Sequence, residues 1–480
     1  MDLKKATIHG LSESLRSGAI SSEELCREYL KNIDARDGEI GAFLEIDREH
    51  MLDAARKSDA RRASGETLGD FDGIPIAVKD NICVKDERCS CASKLLEPVK
   101  SPYDATAIDK LKKAGFIPFG RLNMDEFAMG SSCENSAFKK TRNPLDTSRV
   151  PGGSSGGSAA CVAADFAPAA LGSDTGGSIR QPAAFCGVVG VKPTYGRVSR
   201  YGLVAFASSL DQIGPLCNDA EDAGIILDAI SGFDPHDSTS LPNSTDGLTE
   251  AARQGAESGS LAGLKFGLPK EYFTDGMDSG VAKVMDETIA KVKALGGEIV
   301  DISLPHTKYA VAVYYIIATA EASANLARFD GIRYGSRQNA DGLIDTYYKS
   351  RGLGFGDEVK RRILLGTYVL SSGYYDAYYL RAQRVRTLIR KDFEEAFKKC
   401  DLLLTPVTPQ TAFKFNEKSD PLQMYLSDIF TIALNLSGHC GISIPAGIDG
   451  ATGMPVAAQI MAPALGEKTM LNAAAAFMKQ

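Results

Sequence analysis

Residues 151–196 constrain this chain more than any other stretch, because they carry two similar Gly-Gly-Ser loops. The loops occupy residues 152–154 and 176–178. A glycine pair lets the backbone adopt conformations closed to other residues, and it lets backbone N–H groups approach a ligand closely. Two such loops therefore predict a site where serine hydroxyls and backbone donors converge, which is the arrangement that acyl transfer requires.

The composition is that of an ordinary soluble globular protein. The chain has 480 residues, of which 44% are hydrophobic and 24% are charged, and its net charge is -7. A mildly acidic chain is a poor candidate for a stand-alone nucleic-acid-binding protein, because neutralising phosphates requires clustered Lys and Arg. The N-terminus has no apolar segment of secretory length and we expect no membrane span, so the prediction is a cytoplasmic protein without membrane contact.

The ten cysteines are scattered along the chain, which indicates reduced thiols in a cytoplasmic protein. Cys83, Cys89 and Cys91 lie close together, and Cys133 follows further on. The paired C-x2-C spacing that is typical of zinc sites is absent. We therefore predict incidental thiols in a loop and no metal ion.

Hydrophobic periodicity predicts helices and buried strands in the first part of the chain. Helices are predicted over about residues 1–65, including one that begins with a capping box at Ser21. Apolar runs at residues 73–80 and 116–120 are predicted to be buried strands. A polar segment at residues 242–263, rich in Gly and Ser, is predicted to be an exposed linker.

The second part of the chain alternates between strands and helices. Strands are predicted to bracket a helix between residues 264 and 304. Residues 309–399 are predicted to be almost entirely helical, and strands return from residue 401 before a terminal helix near Glu467. We predict an α/β fold in which helices enclose a mixed sheet as one intertwined domain.

Phosphate binding is one alternative use of the glycine loops. Gly-Gly-Ser-Ser-Gly-Gly does not fit the G-x-G-x-x-G pattern, and neither loop ends in the Gly-Lys-Ser/Thr of a P-loop. The first loop also follows no obvious strand. A nucleotide-binding or scaffold protein is therefore the disfavoured, non-enzymatic alternative.

A Ser-His-Asp triad is another alternative, but the chain has only five histidines and none lies near the serine loops in sequence. The G-x-S-x-G nucleophile motif is absent. His439 is the one histidine flanked by residues that look buried. The triad stays open at this point, because its members need not be neighbours in sequence.

Lys79 is the other candidate base. It ends the apolar run at residues 74–78, and burial would lower the pKa of its ammonium and make a neutral amine available. Ser–Lys pairs are a known variant of the nucleophile–base pair. Its position alone nevertheless favours a solvated strand end.

The two loops and their surroundings resemble the amidase signature family. The resemblance rests on Gly-Gly-Ser-Ser-Gly-Gly-Ser at residues 152–158, Gly-Ser-Asp-Thr-Gly-Gly-Ser-Ile-Arg at residues 172–180, Pro182, and Lys-Pro-Thr at residues 192–194. The 24-residue step from Ser154 to Ser178 and the upstream Lys79 also match that family's Ser–Ser–Lys triad.

The resemblance implies an amidase-signature fold, with a large twisted mixed β-sheet covered by helices, as a single amidase domain over residues 1–480. Its parts would be N-terminal helices (1–65), the catalytic signature core (66–220), a helical insertion (309–399) and the C-terminal part of the core (400–480). The resemblance also makes Ser178 the nucleophile, Ser154 the bridging serine, whose peptide bond is often cis, and Lys79 the base. The oxyanion hole would be formed by the backbone N–H groups of Thr175, Gly176, Gly177 and Ser178.

Within that family the chain is similar to the glutamine-hydrolysing components of glutamyl-tRNA(Gln) amidotransferases. The similar segments include residues 72–82, 120–132 and 359–379. This similarity implies that Arg361 holds the α-carboxylate of glutamine and Asp428 its α-amino group. Arg362 is the alternative for the carboxylate, because the register of the arginine pair is ambiguous.

The same similarity implies a function and a set of partners. The chain would supply ammonia for transamidation of Glu-tRNA(Gln), and a role with Asp-tRNA(Asn) stays open. It would bind no cofactor itself, with ATP and Mg expected on a tRNA-binding B-type subunit. A small C-type subunit would complete a heterotrimer, and tRNA would be contacted mainly through the partner. The alternative function is that of a stand-alone amidase acting on another carboxamide.

Overall fold

The apolar runs of the sequence form one mixed sheet, which has eleven strands among the residues that the structure describes. This computed structural model describes residues 3–242, 247–273, 276–418 and 420–479. The strands are β1 (Phe43–Glu45), β2 (Pro75–Lys79), β3 (Ile117–Leu122), β4 (Ala169–Asp174), β5 (Val189–Lys192), β6 (Gln212–Cys217), β7 (Lys265–Pro269), β8 (Glu298–Ile302), β9 (Leu402–Pro406), β10 (Cys440–Ile448) and β11 (Pro455–Ala462). Their order across the sheet is β1-β3-β2-β4-β6-β5-β10-β11-β9-β7-β8, with parallel and antiparallel pairs.

Helices pack on this sheet, which confirms the predicted α/β class with a large mixed sheet. The helices are α1 (Ile8–Arg16), α2 (Ser22–Ile40), α3 (Arg48–Ser64), α4 (Thr106–Lys113), α5 (Gly156–Ala163), α6 (Arg180–Cys186), α7 (Ala220–Ile230), α8 (Leu248–Ser258), α9 (Ser279–Ala294), α10 (Ala310–Asn325), α11 (Leu343–Gly354), α12 (Asp357–Leu370), α13 (Arg381–Ala396), α14 (Pro421–Leu426), α15 (Ile432–Ser437) and α16 (Glu467–Met478).

The capping box predicted at Ser21 begins helix α2. Ser21 Oγ accepts the Glu24 N–H at 3.1 Å, and the Glu24 carboxylate accepts the Ser21 N–H at 2.9 Å. These two bonds satisfy N–H groups that the start of a helix leaves without partners. The predicted apolar stripe of this helix, Leu25, Tyr29 and Ile33, is buried.

The parallel pair β2 and β4 positions the candidate site. Val78 of β2 lies opposite Leu171 of β4, so both strands end at the same edge of the sheet. Strand β4 leads directly into the second Gly-Gly-Ser loop, and the first loop leads into α5. The Ser155 N–H donates to Ser178 O at 3.1 Å, which brings the two loops together at that edge.

The predicted helical segment at residues 309–399 is confirmed, since α10, α11, α12 and α13 lie between strands β8 and β9. Within it, the run Thr307–Arg328 is long and apolar enough to cross a membrane by length and composition, with a mean hydropathy of 1.3. In length and composition this run therefore approaches a membrane span more closely than the sequence led us to expect. Half of the most apolar window is buried, and α10 packs against α12 and α13.

The predicted linker at residues 242–263 is the clearest error in the fold prediction. Residues 243–246 lie outside the described residues, but residues 248–258 form helix α8. The buried face of this helix packs on α7 and α16. A Cβ at Gly255 would lie 2.1 Å from Asn472 O, so the small residues that suggested a linker permit close helix packing.

Candidate active site

Lys79, at the end of β2, is fully buried with 0% exposure. The solvated end that its position favoured is therefore wrong, because β2 is flanked by β3 and β4 inside the sheet. Its Nζ makes four hydrogen bonds, all to serine oxygens: Ser154 Oγ at 2.8 Å, Ser155 Oγ at 2.8 Å, Ser173 Oγ at 2.9 Å and Ser173 O at 3.4 Å.

Burial lowers the pKa of Lys79 to about 7, because transfer out of water disfavours the ammonium. The negative charge of Asp125 is the largest influence in the opposite direction, and Cys133, Asp174 and Asp211 add to it. A substantial fraction of this amine is therefore neutral near neutral pH. A neutral amine within 2.8 Å of a serine hydroxyl can act as a general base.

The first Gly-Gly-Ser loop presents Ser154 to Lys79. The Gly153–Ser154 peptide bond is cis, and Ser154 is fully buried. A Cβ at Gly153 would lie 2.0 Å from Asp125 Oδ2, so only glycine fits beside this carboxylate. The Asp125 N–H in turn donates to Ser154 O at 3.2 Å. The loop is thus held by Asp125 on one side and by Lys79 on the other.

The second loop presents Ser178 above this network. Of the three predicted catalytic residues, Ser178 alone has any exposure, 8%, while Lys79 and Ser154 have none. This order suits a relay in which the outer hydroxyl meets the substrate and the inner groups move its proton. The loops pack against each other, and the Gly153 N–H donates to Gln181 Oε1 at 2.9 Å, so they do not form an open phosphate cradle.

One hydrogen bond removes a donor from the predicted oxyanion hole. The Gly177 N–H donates to Asp174 Oδ1 at 2.9 Å and is therefore engaged. In the part of the chain that the structure describes, the N–H groups of Thr175, Gly176 and Ser178 donate to no other group. Three of the four predicted donors are thus free to bind a developing oxyanion.

The glycines of the second loop are required by packing. A Cβ at Gly176 would lie 2.7 Å from the ring of Tyr314, and a Cβ at Gly177 would lie 2.2 Å from Thr431 Oγ1. Gly177 also has a φ of +132°, which side-chain-bearing residues rarely adopt. The Thr431 hydroxyl donates to Gly176 O at 2.6 Å and fixes this close approach.

A buried ion pair supports the second loop from below. Arg180 and Asp174 are both fully buried, with Nε to Oδ2 at 3.1 Å and Nη2 to Oδ1 at 3.0 Å. Burial alone would raise the pKa of Asp174, but the Arg180 charge lowers it to about 2. The Arg180 Nη atoms also donate to Gln459 Oε1 at 2.6 Å, to Asn435 Oδ1 at 2.6 Å and to Thr431 O at 3.1 Å. These bonds join the signature core to the C-terminal part of the chain.

The two candidate arginines on α12 both pair with Glu358 but differ in burial. Arg361 has a side chain 44% exposed and pairs with Glu358 at the surface. Arg362 is 3% exposed, and its guanidinium lies 5.2 Å from the ring centroid of Tyr315 and 5.5 Å from that of Tyr425. The burial of Arg362 favours this alternative over Arg361 as the arginine of a buried site.

Asp428 lies beside this inward-facing arginine. It follows Tyr425 within one helical turn, and its carboxylate accepts a hydrogen bond from the Ser131 hydroxyl. Burial raises the pKa of Asp428 to about 7, whereas Ser131 and the positive charge of Arg362 oppose that rise. Arg362 and Asp428 thus offer one cationic and one anionic group near the second loop.

His439 does not complete a triad. Its ring stacks at 5.5 Å from Phe393 and 5.3 Å from Phe397, on the side of α13. Burial lowers the pKa of His439 to about 4. Among the described residues it has no hydrogen bond to Ser154 or Ser178, so Lys79 is the base that the geometry supports.

The flagged cysteines are buried thiols. All ten cysteines are free and buried, and Cys83 Sγ lies 4.0 Å from Cys89 Sγ. Within the described ranges, one group of side chains meets the distances of a metal site: His9, Asp219 and Asp222. Its central carboxylate, Asp222, already accepts the N–H of Ile8 at 2.8 Å and binds the His9 ring at 3.1 Å.

Sequence reasoning missed several groups of this site. Ser155 and Ser173 lie within the quoted motifs, but only the fold shows that they also bind Lys79. Asp125 was missed although residues 120–132 were singled out. The usable signal was a pair of adjacent carboxylates, Asp125 and Glu126, shortly after the predicted strand at residues 116–120.

Comparison with known proteins agrees with this geometry. A sequence model of the family described as Amidase matches residues 24–471. The chain is 55% identical over 476 residues to the A subunit of glutamyl-tRNA(Gln) amidotransferase from Trichlorobacter lovleyi, covering 99% of this chain and 97% of that one. It is also 55% identical over 483 residues to the protein of the same name in Geobacter metallireducens, with 99% and 97% covered.

Solved structures give the same result. The crystal structure of the A subunit of glutamyl-tRNA(Gln) amidotransferase from Thermotoga maritima matches with a TM-score of 0.79 and 42% identity, covering 99% of this chain and 94% of that one. A peptide amidase in complex with the competitive inhibitor chymostatin matches with a TM-score of 0.85 and 27% identity, covering 98% and 97%. The resemblance inferred from the Gly-Gly-Ser motifs is thereby confirmed, and the chain belongs to the amidase signature family.

Proposed function

We propose that this chain is the glutamine-hydrolysing subunit of a tRNA-dependent amidotransferase, where it releases ammonia for transamidation of Glu-tRNA(Gln). The observation that carries the proposal is the 2.8 Å bond from Lys79 Nζ to Ser154 Oγ, buried beneath the Ser178 loop. The 55% identity to proteins named as that subunit, over nearly the whole chain, supports the same function.

The proposed chemistry uses Ser178 as nucleophile. Its Oγ attacks the side-chain amide carbon of glutamine, Ser154 takes the Ser178 proton, and Ser154 passes its own proton to neutral Lys79. The oxyanion binds the free N–H groups of the second loop, and one such donor is typically worth about 10²–10³ in rate. The proton returns to the leaving nitrogen, ammonia departs, and water hydrolyses the glutamyl ester.

Recognition of glutamine is assigned to Arg362 and Asp428. The Arg362 guanidinium binds the α-carboxylate and the Asp428 carboxylate binds the α-amino group, through charge-assisted contacts. Two opposite charges held in a buried site suit a zwitterion and disfavour a simple amide, whose apolar end would leave both unpaired. This observation favours glutamine over the carboxamide of a stand-alone amidase.

The proposal includes an assembly. A tRNA-binding B-type subunit would use ATP and Mg to activate the tRNA-linked substrate and would receive the ammonia, and a small C-type subunit would complete a cytoplasmic heterotrimer. Co-purification from the native host tests this part directly. A stable tRNA-binding partner is the expected result, and a chain that purifies alone and hydrolyses amides at full rate would favour the stand-alone amidase.

The catalytic assignment is tested by comparing Ser178 with Ser158, a buried serine of the first loop motif. Ser178→Ala should lower the kcat of glutamine hydrolysis by a factor of about 10⁴ or more. Ser158→Ala is the matched control, because Ser158 is buried in α5 and its hydroxyl donates to Leu171 O at 3.0 Å and not to a group of the proposed relay. A Ser178→Ala variant that keeps a tenth of the wild-type rate would refute the nucleophile, and so would equal losses in both variants.

A further inference from the structure

The turn at residues 125–128 contacts both the first Gly-Gly-Ser loop, which carries Ser154, and the helical segment, which carries Arg362. It follows β3 and includes the 3-10 turn Glu126–Ala128, in which Phe127 and Ala128 have φ angles of 49° and 61°. Side-chain-bearing residues adopt such angles rarely, and they persist where surrounding contacts hold them in place. One such contact is the bond from the Asp125 N–H to Ser154 O.

Glu126 reaches from this turn to the helical segment. It is 2% exposed, and one carboxylate oxygen accepts the Gly356 N–H at 2.8 Å while the other accepts the Ser93 hydroxyl. Gly356 immediately precedes α12 and has no side chain with which to cap it. Glu126 thus supplies, from another part of the chain, the acceptor and the negative charge that the start of a helix favours.

Close packing fixes the position of this cap. The Phe127 ring lies 5.5 Å from that of Phe355 and 5.4 Å from that of Phe329, measured between centroids. A Cβ at Gly356 would lie only 2.4 Å from Glu126 Oε2, so the backbone itself approaches the carboxylate. The start of α12 therefore has little freedom to shift along the core.

The inner face of α12 carries the substrate-binding arginine. Arg362 lies six residues after Gly356, which is about 9 Å along a rigid helix. Its Nε donates to Glu358 Oε1 at 2.8 Å, and the same oxygen accepts the Tyr425 hydroxyl at 3.0 Å. A shift of the helix start would therefore move the guanidinium relative to Tyr425 and to Asp428.

We infer that Glu126 is a positioning residue for substrate recognition, which seats the start of α12 so that Arg362 faces Asp428. This inference rests on the proposed glutaminase function. It assigns to Glu126 no contact with the reacting atoms. Removing the carboxylate should therefore weaken glutamine binding and leave the chemical step intact.

The test measures glutamine hydrolysis by full-length variants in the complex purified from the native host. Glu126→Ala should raise KM about tenfold and change kcat less than threefold, because the charge-assisted bond that holds the start of α12 is lost together with the bond to Ser93. Glu126→Gln should have a KM close to that of the wild type, since its amide oxygen can still accept the Gly356 N–H. The assays are run at pH 8.5, where Glu126 is ionised, because burial raises its pKa to about 7.

Asp222→Ala is the matched control. Asp222 is likewise a buried carboxylate that accepts N–H groups at a helix start, that of α1, at 2.8 Å from Ile8 N. It should lower Tm and leave KM unchanged. An unchanged KM in Glu126→Ala, or an equal KM rise in the control, overturns the inference. If Glu126→Ala does not fold, Gly356→Ala serves instead, because its Cβ displaces the carboxylate and should raise KM in the same way.

A second measurement separates this inference from the proposed function. Hydrogen–deuterium exchange at residues 356–360 should accelerate about tenfold in Glu126→Ala and stay unchanged in Asp222→Ala, and it requires no substrate. Unchanged exchange at those residues overturns the seating role. A wild-type protein that hydrolyses no glutamine refutes the proposed function, while the exchange result still decides how α12 is held.

Discussion

The burial of Lys79 predicts how glutamine hydrolysis depends on pH. The proposed base must be neutral, and burial lowers the pKa of Lys79 to about 7. The kcat should therefore fall about tenfold for each pH unit below 7 and reach a plateau above about pH 8. Asp174 stays ionised over this range, because the Arg180 charge holds its pKa at about 2 against the effect of burial.

Asp125→Asn is the perturbation that tests this reasoning. The Asp125 charge is the largest influence that opposes the effect of burial on the pKa of Lys79. Removing it destabilises the ammonium, so the acid limb of kcat should move to lower pH by about one unit. The comparison is made at pH 7, where wild-type Asp125 is ionised because burial raises its pKa only to about 6; a shift of that size there corresponds to about 1.8 times the wild-type fraction of neutral amine.

The assay is kcat at saturating glutamine between pH 5.5 and 9. Saturation matters because burial raises the pKa of Asp428 to about 7, and its protonation changes glutamine binding. Each profile is scaled to its own plateau, so a general loss of rate does not obscure the midpoint. Asp222→Asn, a change at the α1 helix start, should keep the wild-type midpoint. A midpoint unchanged or raised in Asp125→Asn would refute the electrostatic account.

Two further predictions follow from the buried arginines. Arg362→Lys should raise the KM for glutamine at least tenfold with little change in kcat. Arg361→Ala should leave both constants near their wild-type values, since the Arg361 side chain is 44% exposed. A large KM rise in Arg361→Ala and none in Arg362→Lys would restore Arg361 as the residue that binds the α-carboxylate. Arg180→Met should lower the free energy of unfolding by about 3–5 kcal/mol, because it leaves the Asp174 carboxylate buried without its partner. Denaturant unfolding measures that loss, and a cost below about 1 kcal/mol would show that Asn435 and water compensate.

Much of the fold could be predicted from local patterns. The capping box at Ser21 and the apolar runs that became β2 and β3 act within a few residues, so the sequence displays them directly. Strands β4, β5 and β6 were not predicted, because each is short and is interrupted by a glycine, which resembles loop sequence. They become strands through pairing across the sheet.

The chemistry of the site could be predicted only in part. Ser154, Ser178 and Lys79 carry a long motif, and the fold brings their loops together. The choice between Arg361 and Arg362 depends on which side of α12 faces the core, and that side is decided by contacts with Tyr315 and Tyr425 far along the chain. The engagement of the Gly177 N–H likewise depends on the rotamer of Asp174, which no sequence pattern records.

The bond between Thr431 and Gly176 has a consequence for how the protein acquires activity. It joins positions 255 residues apart, so the second loop reaches its final shape only after nearly the whole chain has been synthesised. Contacts between residues so far apart in sequence form late, because the entropic cost of closing a long loop must be met before the contact stabilises the fold. A nascent or truncated chain that ends before residue 400 would thus contain every catalytic side chain and still lack a formed nucleophile loop. We therefore expect no ammonia release until synthesis is almost complete.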